Sequence, residues 1–192
     1  FNPCLAFLFS DEINLLFYGV APFGGRLDKI NSVFAGMASS NLYKHLSSRY
    51  RDIPEVSFDC RVIPSQRSGA IDYLLSRQME SYRNCYNAYG QYCLIVKADF
   101  KPKRVSEELR GMKVKDLKKL IQHCGVVLSH IPKWRERGIL VYWEYFTKRG
   151  FDPVINRDVL AERRRIRVEW SPPNFRAMSG KKLLAELIGK ER

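Results

Sequence analysis

The chain has 192 residues, enough for one large domain or one domain with an appendage. Its 45% apolar and 12% aromatic content supports a packed core and speaks against a disordered chain. Against 20 Asp and Glu stand 33 Lys and Arg, a net charge of +13 that calls for an anionic partner, nucleic acid first.

No apolar run approaches the roughly 20 residues of a membrane-spanning helix, so no membrane partner is expected. The apolar start lacks the basic leader and small-residue cleavage site of a signal peptide. Five scattered cysteines (Cys4, Cys60, Cys85, Cys93, Cys124) never form a CxxC pair. They point away from a zinc site or a disulfide framework and toward a reducing, cytoplasmic setting. His45, His123 and His130 have no metal-ligand spacing either. The chain opens on Phe1-Asn2-Pro3 rather than Met, and we expect the gene product to extend further N-terminally.

In chain order, two short apolar runs flank Ser10-Asp11-Glu12 within Phe7–Phe17, and each reads as a buried strand. The carboxylates then sit at a hairpin tip, where unpaired anions beside an apolar sheet are costly. Two readings stand side by side: a solvated acidic turn, or a site for a divalent cation bound to nucleotide phosphates. Ala21–Gly25 has loop chemistry, and Arg26 to about Tyr50 is helical, with Leu27, Ile30, Phe34, Met37, Leu42 and Leu46 near the helical period. Val56–Ile63 reads as a strand closed by Pro54 and Pro64. Ser68 to Val96 reads as helix, in two segments, ended by Lys101-Pro102-Lys103.

Further on, Lys113–His123 predicts a basic amphipathic helix and Val126–Leu128 a strand. Gly138–Phe146 predicts a strong strand, Thr147–Gly150 a turn, Arg163–Trp170 a half-exposed strand and Ser179–Ile188 a closing helix. This order suggests an α+β fold with an antiparallel sheet backed by helices.

Several polar groups fall where phosphate chemistry could use them. Arg26 and Lys29 share a face at the start of the first helix, with Ser32 one step on; free N–H groups and the dipole end suit a phosphate there. The alternative is a solvated basic helix start. Arg77, Ser81, Asn84 and Asn87 form one stripe on the second helix, either a polar outer face or a row of donors for phosphate and ribose. Asp59 and Arg61 alternate with apolar neighbours, as a structural ion pair or with Arg61 reaching RNA. Lys113–Lys119, Lys133-Trp134-Arg135-Glu136-Arg137 and Arg163-Arg164-Arg165-Ile166-Arg167 mix cations with apolar and aromatic residues, which suits an RNA backbone and exposed bases.

Ser10-Asp11-Glu12 in its hairpin, Arg26 with Lys29, FDCRV at Phe58–Val62, DYLLSRQ at Asp72–Gln78 and RNCYNAY at Arg83–Tyr89 occur in an order that resembles the tRNA-His guanylyltransferase family. The resemblance includes its archaeal and bacterial relatives, the template-dependent 3′-to-5′ RNA polymerases, and covers roughly Phe7 to Leu94. Beyond it, Gly125–Trp143 is similar to the family's segment ending in an RKG-type strand, here Arg137-Gly138-Ile139.

That resemblance implies a polymerase-type palm, a ferredoxin-like antiparallel sheet backed by helices, over residues 1–100. Residues 101–192 would be a basic C-terminal extension packed on the palm and contacting tRNA. It implies a tRNA 5′-end nucleotidyltransferase that activates a 5′-monophosphate with ATP and adds guanylate from GTP by two-metal chemistry. Two Mg²⁺ ions, a homo-tetramer and tRNA as partner follow from the same likeness. Asp11 would be the catalytic metal ligand, with Glu12 beside it. Ser10, Arg26, Lys29, Ser32, Arg77, Asn84 and Asn87 would hold nucleotide, and Arg61, Lys133, Arg135, Arg137, Arg164 and Arg165 would hold RNA.

Two departures stand out. Nothing before Ser10 supplies the family's RIDG-type strand, so a palm without its first strand is expected. The HINN-type motif reads Tyr82-Arg83-Asn84-Cys85, closer to the archaeal side of the family. The competing expectations are a noncatalytic RNA-binding module on a degenerate or truncated palm, and a palm-type nucleotide cyclase. The +13 charge favours a macromolecular substrate over a lone nucleotide.

Overall fold

A computed structural model gives the fold and describes residues 2–154 and 156–189. The chain divides into two units: the stretch Phe17–Gln66, and Pro3–Leu16 together with the chain from Arg67 onward. Each is built on its own logic.

The larger unit is α+β, as expected. β1 (Leu5–Phe9), β2 (Glu12–Leu16), β3 (Ile139–Asp152) and β4 (Arg157–Glu169) form one sheet in the order β2-β1-β3-β4. Every neighbouring pair is antiparallel. The alternation in LAFLF sends Leu5, Phe7 and Phe9 to one face, where all three are buried. Leu140 of β3, Leu74 of α2 (Arg67–Tyr92), Phe175, and Leu184, Leu187 and Ile188 of α6 (Met178–Gly189) complete that core. Each such side chain contributes on the order of 1.5–3 kcal/mol of burial. Phe7 is fully buried against Phe9 and Phe175, with ring centroids 5.7 and 5.4 Å away. The backbone passes so close there that a Cβ on Gly138 would lie 2.5 Å from the Phe7 ring; at φ +73° only glycine is comfortable as well.

The second core is helical. α3 (Pro102–Leu109), α4 (Val114–His123) and α5 (Lys133–Arg137) bury Val105, Leu109, Leu117 and Ile121 with Ile131 against Cys85, Tyr86, Cys93 and Leu94. The two expected helical segments of residues 68–96 are therefore one helix with a π turn at Cys93–Lys97. The reason is that its first half packs on the sheet core and its second half on this one, so both need the same axis.

β3 pairs with β1 only over Ile139–Tyr142, so from Trp143 outward β3 and β4 continue as a two-stranded arm. The expected turn at Thr147–Gly150 is overturned: Lys148 pairs with Ala161 and Gly150 with Val159, and the reversal follows Asp152. The cross-strand ladder overrides the local Gly signal. The expected strand at Val126–Leu128 is instead followed into a 3₁₀ turn at Leu128–His130, because Val126 N–H donates back to the carbonyl of Ile121 at the end of α4.

In the smaller unit, α1 (Leu27–Ser47) follows the predicted period and buries Ile30. Phe34 packs on Phe17 and Phe23 at 5.6 and 6.5 Å. The expected strand at Val56–Ile63 is not one. Its side chains still alternate between half-buried and exposed, but the unit holds no strand among its described residues to pair with it. Phe58 N–H instead donates to Ser39 Oγ at 2.8 Å. Alternation without a ladder leaves an extended segment.

Candidate functional site

The β1–β2 hairpin turns through Ser10 and Asp11, with Phe9 opposite Glu12. Ser10 sits at φ +49°, a left-handed conformation that costs a non-glycine residue about 1 kcal/mol or more. Asp11 is exposed at the tip. Glu12, across from Phe9, shares the core-side face and meets α2. There Arg77 Nη1 lies 3.5 Å from Glu12 Oε2, while Arg77 Nη2 holds Glu80 at 2.7 Å and the guanidinium lies 5.4 Å over the Tyr73 ring.

The cluster is only partly satisfied. Glu12 Oε1 and Arg77 Nε are both buried without a hydrogen-bond partner. Native structures rarely leave such atoms unmatched. Tyr73 Oη donates to Asn14 Oδ1 at 2.8 Å, and Asn14 Nδ2 donates to the Phe7 carbonyl at 3.3 Å. Burial, then the neighbouring Glu12 charge, pushes the Tyr73 phenol above its ordinary value, so it stays a donor.

Among the described residues no three His, Cys, Asp or Glu side chains gather where they could share a metal ion. Asp11 and Glu12 fit one divalent cation that keeps water or phosphate oxygens as its other ligands, since Mg²⁺ commonly takes one or two carboxylates. The unmatched Glu12 Oε1 is the observation that makes this fit. A complete cage for two ions is not formed by these residues.

The other expected nucleotide ligands fall in two places. Arg26, Lys29 and Ser32 lie in the smaller unit at the start of α1. There Arg26 Nε donates to the Phe23 carbonyl at 3.3 Å, Lys29 Nζ lies 5.2 Å over the Phe23 ring, and Ser32 Oγ donates to the Asp28 carbonyl at 2.7 Å. On α2, Asn84 is exposed and Asn87 half-buried, whereas Ser81 of the same stripe is buried with its hydroxyl unmatched.

The expected RNA contacts form two groups and one outlier. Lys133, Arg135 and Arg137 belong to α5. Arg164 lies 4.5 Å over Trp143, and Arg165 donates to Glu144 at 2.6 Å while lying 5.3 Å over Phe146, both on the arm. Arg61 is highly exposed and stands 3.6 Å from Asp59.

Sequence reasoning missed the most constrained charge in the chain. Glu136, in the middle of the basic α5 stretch, is 5% exposed. It accepts from Tyr86 Oη at 2.5 Å and from Lys133 Nζ at 2.8 Å. Burial pushes its pKa up, but those two hydrogen bonds and the charges of Lys133 and Arg137 outweigh it and hold the carboxyl below its ordinary value. The Lys133–Glu136 spacing of three residues was the available signal. Gln78 was missed too: its amide donates to the carbonyls of Arg137 and Pro173 and accepts from Phe175 N–H at 2.7 Å.

Comparison with known proteins gives matches in a family model and in fold. The family model described as tRNAHis guanylyltransferase matches residues 1–66. A crystal structure of a tRNA(His) guanylyltransferase from Saccharomyces cerevisiae matches in fold, with a TM-score of 0.62 at 22% identity. That match covers 72% of this chain and 64% of the yeast one, so the chain spans less than two thirds of the protein it resembles. No curated protein matches it in sequence. Residues 1–66 are thus similar to the tRNA-His guanylyltransferase family, and the chain that carries them is similar in fold to the yeast protein.

Proposed function

We propose that this chain belongs to a tRNA nucleotidyltransferase, one that adds guanylate or another nucleotide to a tRNA 5′ end in the 3′-to-5′ direction. The observation that carries the reading is the unmatched pair at the hairpin tip. An acceptor (Glu12 Oε1) and a donor (Arg77 Nε), both buried and unpartnered, lie on two side chains in contact. A ligand that brings a cation to the first and an anion to the second answers both needs, and a magnesium-bound nucleotide phosphate is such a ligand.

In this reading Asp11 and Glu12 hold the cation, and the strained turn at Ser10 presents them. Arg77, braced by Glu80, offers its Nε to a phosphate oxygen. Tyr73 and Asn14 hold the hairpin against α2, so the carboxylates keep their position as charge changes around them. Asp11 and Glu12 would hold a divalent cation there, and the chemistry it would supply is charge neutralisation in phosphoryl transfer. ATP for activation and GTP for addition are the triphosphates proposed; within the smaller unit, Arg26, Lys29 and Ser32 are proposed separately as phosphate ligands.

Cations set beside aromatic rings on α5 and on the β3–β4 arm favour a second reading: an RNA-binding module without turnover. One experiment separates them. Protein is incubated with Mg²⁺, ATP, labelled GTP and a tRNA lacking its first nucleotide. The wild type is expected to extend the 5′ end, and Asp11→Ala to lose more than about a hundredfold in rate while still binding tRNA. Undiminished addition by Asp11→Ala removes the assignment of the site. Binding of tRNA by the wild type without any addition makes the second reading correct.

A further inference from the structure

We propose that α5 carries a stacking site for one unpaired nucleotide of RNA, with the base on Trp134 and the phosphate on Lys133 and Arg135. This rests on RNA being the partner, and it names a contact outside the acidic tip.

Four of the five α5 residues are charged and the fifth is Trp134. Glu136 is buried, paired with Lys133 and hydrogen-bonded by Tyr86, so the exposed side chains of α5 carry only positive charge. Trp134 remains 41% exposed, a large apolar ring kept in water on a helix whose one buried side chain is Glu136. Arg135 lies 5.1 Å over that ring and 5.8 Å over Tyr89 of α2, so its cation is held beside the indole. Such a ring edged by cations matches a nucleotide, whose base has a stacking face and whose phosphate is anionic.

The platform is rigid. Arg135 N–H donates to the Pro132 carbonyl at 3.0 Å and Gly138 N–H to the Trp134 carbonyl at 2.9 Å. Gln78 holds the Arg137 carbonyl at 3.2 Å, and Arg137 Nη1 donates to the Pro172 carbonyl. A preorganised ring loses little freedom when a base covers it. The nearby aromatics of α2 are already taken: Lys118 Nζ donates to Tyr82 Oη at 2.6 Å and lies 4.7 Å over Tyr86, which is itself buried. Trp134 has Arg135 beside it and still keeps 41% of its surface in solvent. The interior of a duplex or an acidic peptide would satisfy the cations without using the indole, because interior base pairs are stacked on each other.

The test uses a ten-nucleotide oligoadenylate and a blunt RNA duplex of equal length. The protein carries Trp143→Phe and Trp170→Phe, which leaves Trp134 as the reporter among the chain's 3 tryptophans. The single strand is expected to quench its fluorescence saturably and the duplex to leave it nearly unchanged. In the otherwise native protein, Trp134→Ala weakens single-strand binding about five- to hundredfold and Trp134→Phe keeps most of it. Arg135→Gln lowers the slope of log affinity against log salt by about 0.7. Circular dichroism checks that the variants retain their helices. Unchanged single-strand affinity in Trp134→Ala, or equal quenching by the duplex, overturns the site. A wild type that binds tRNA and the oligomer as described but adds no nucleotide overturns the enzyme reading alone. One that binds neither RNA overturns both.

Discussion

Two glutamates that meet α2, Glu12 of β2 at Arg77 and Glu136 of α5 at Tyr86, show how differently one side chain can be held. Glu136 is buried, accepts two short hydrogen bonds and has its charge matched by Lys133. Glu12 is half-exposed, meets Arg77 only at 3.5 Å, and keeps one buried oxygen without a partner. Satisfied buried charge holds a structure in one arrangement, whereas unsatisfied charge is free energy available to a ligand. The Glu136 contact is therefore closed in itself, whereas the hairpin tip keeps a buried acceptor and a buried donor unmatched.

That contrast breaks most readily at Glu136. Glu136→Ala leaves Tyr86 and Lys133 facing an empty buried site, and is expected to lower stability by about 2–4 kcal/mol, read from the urea midpoint. Glu12→Ala, by comparison, should cost no more than about 1 kcal/mol, because the pair is part-exposed and Arg77 keeps Glu80. Equal losses in the two variants would erase the distinction drawn here. A finer probe is acid. The Glu136 pKa is lowered on folding, so its stabilisation is present above the unfolded value of about 4.3 and is lost as pH falls through the lower folded value. Glu136→Gln keeps an acceptor for Tyr86 and should flatten this part of the acid limb; an unaltered limb would place the titration elsewhere.

Much of the fold was legible because its signals are local. The LAFLF alternation, the period of α1 and the amphipathic pattern of α4 each describe how one segment meets one surface. The strand expected at Val56–Ile63 failed for the converse reason: alternation records which side is apolar, but a strand also needs a neighbour to accept its hydrogen bonds. Gly150 misled in the other direction, since thirteen consecutive cross-strand pairs carry β3 and β4 straight past it.

The candidate site was legible in its residue types and opaque in its pairings. Asp11 and Glu12 stood out at once as charge in an apolar hairpin, and Lys133–Arg137 as a basic stretch with an aromatic. That Glu136 is the one member of that stretch turned inward depends on Tyr86, 50 residues earlier.

The sequence by itself determined the charge balance, the helical periods, the acidic hairpin and the order of motifs, since all of these reside in neighbouring residues. Only the tertiary structure decided that Arg77 stands on Glu12 from 65 residues away, that Glu136 is anchored, and that Trp134 stays exposed beside Arg135. The physical reason is that the fate of a charge or a ring depends on what the fold brings beside it, and partners so distant along the chain leave no periodic trace.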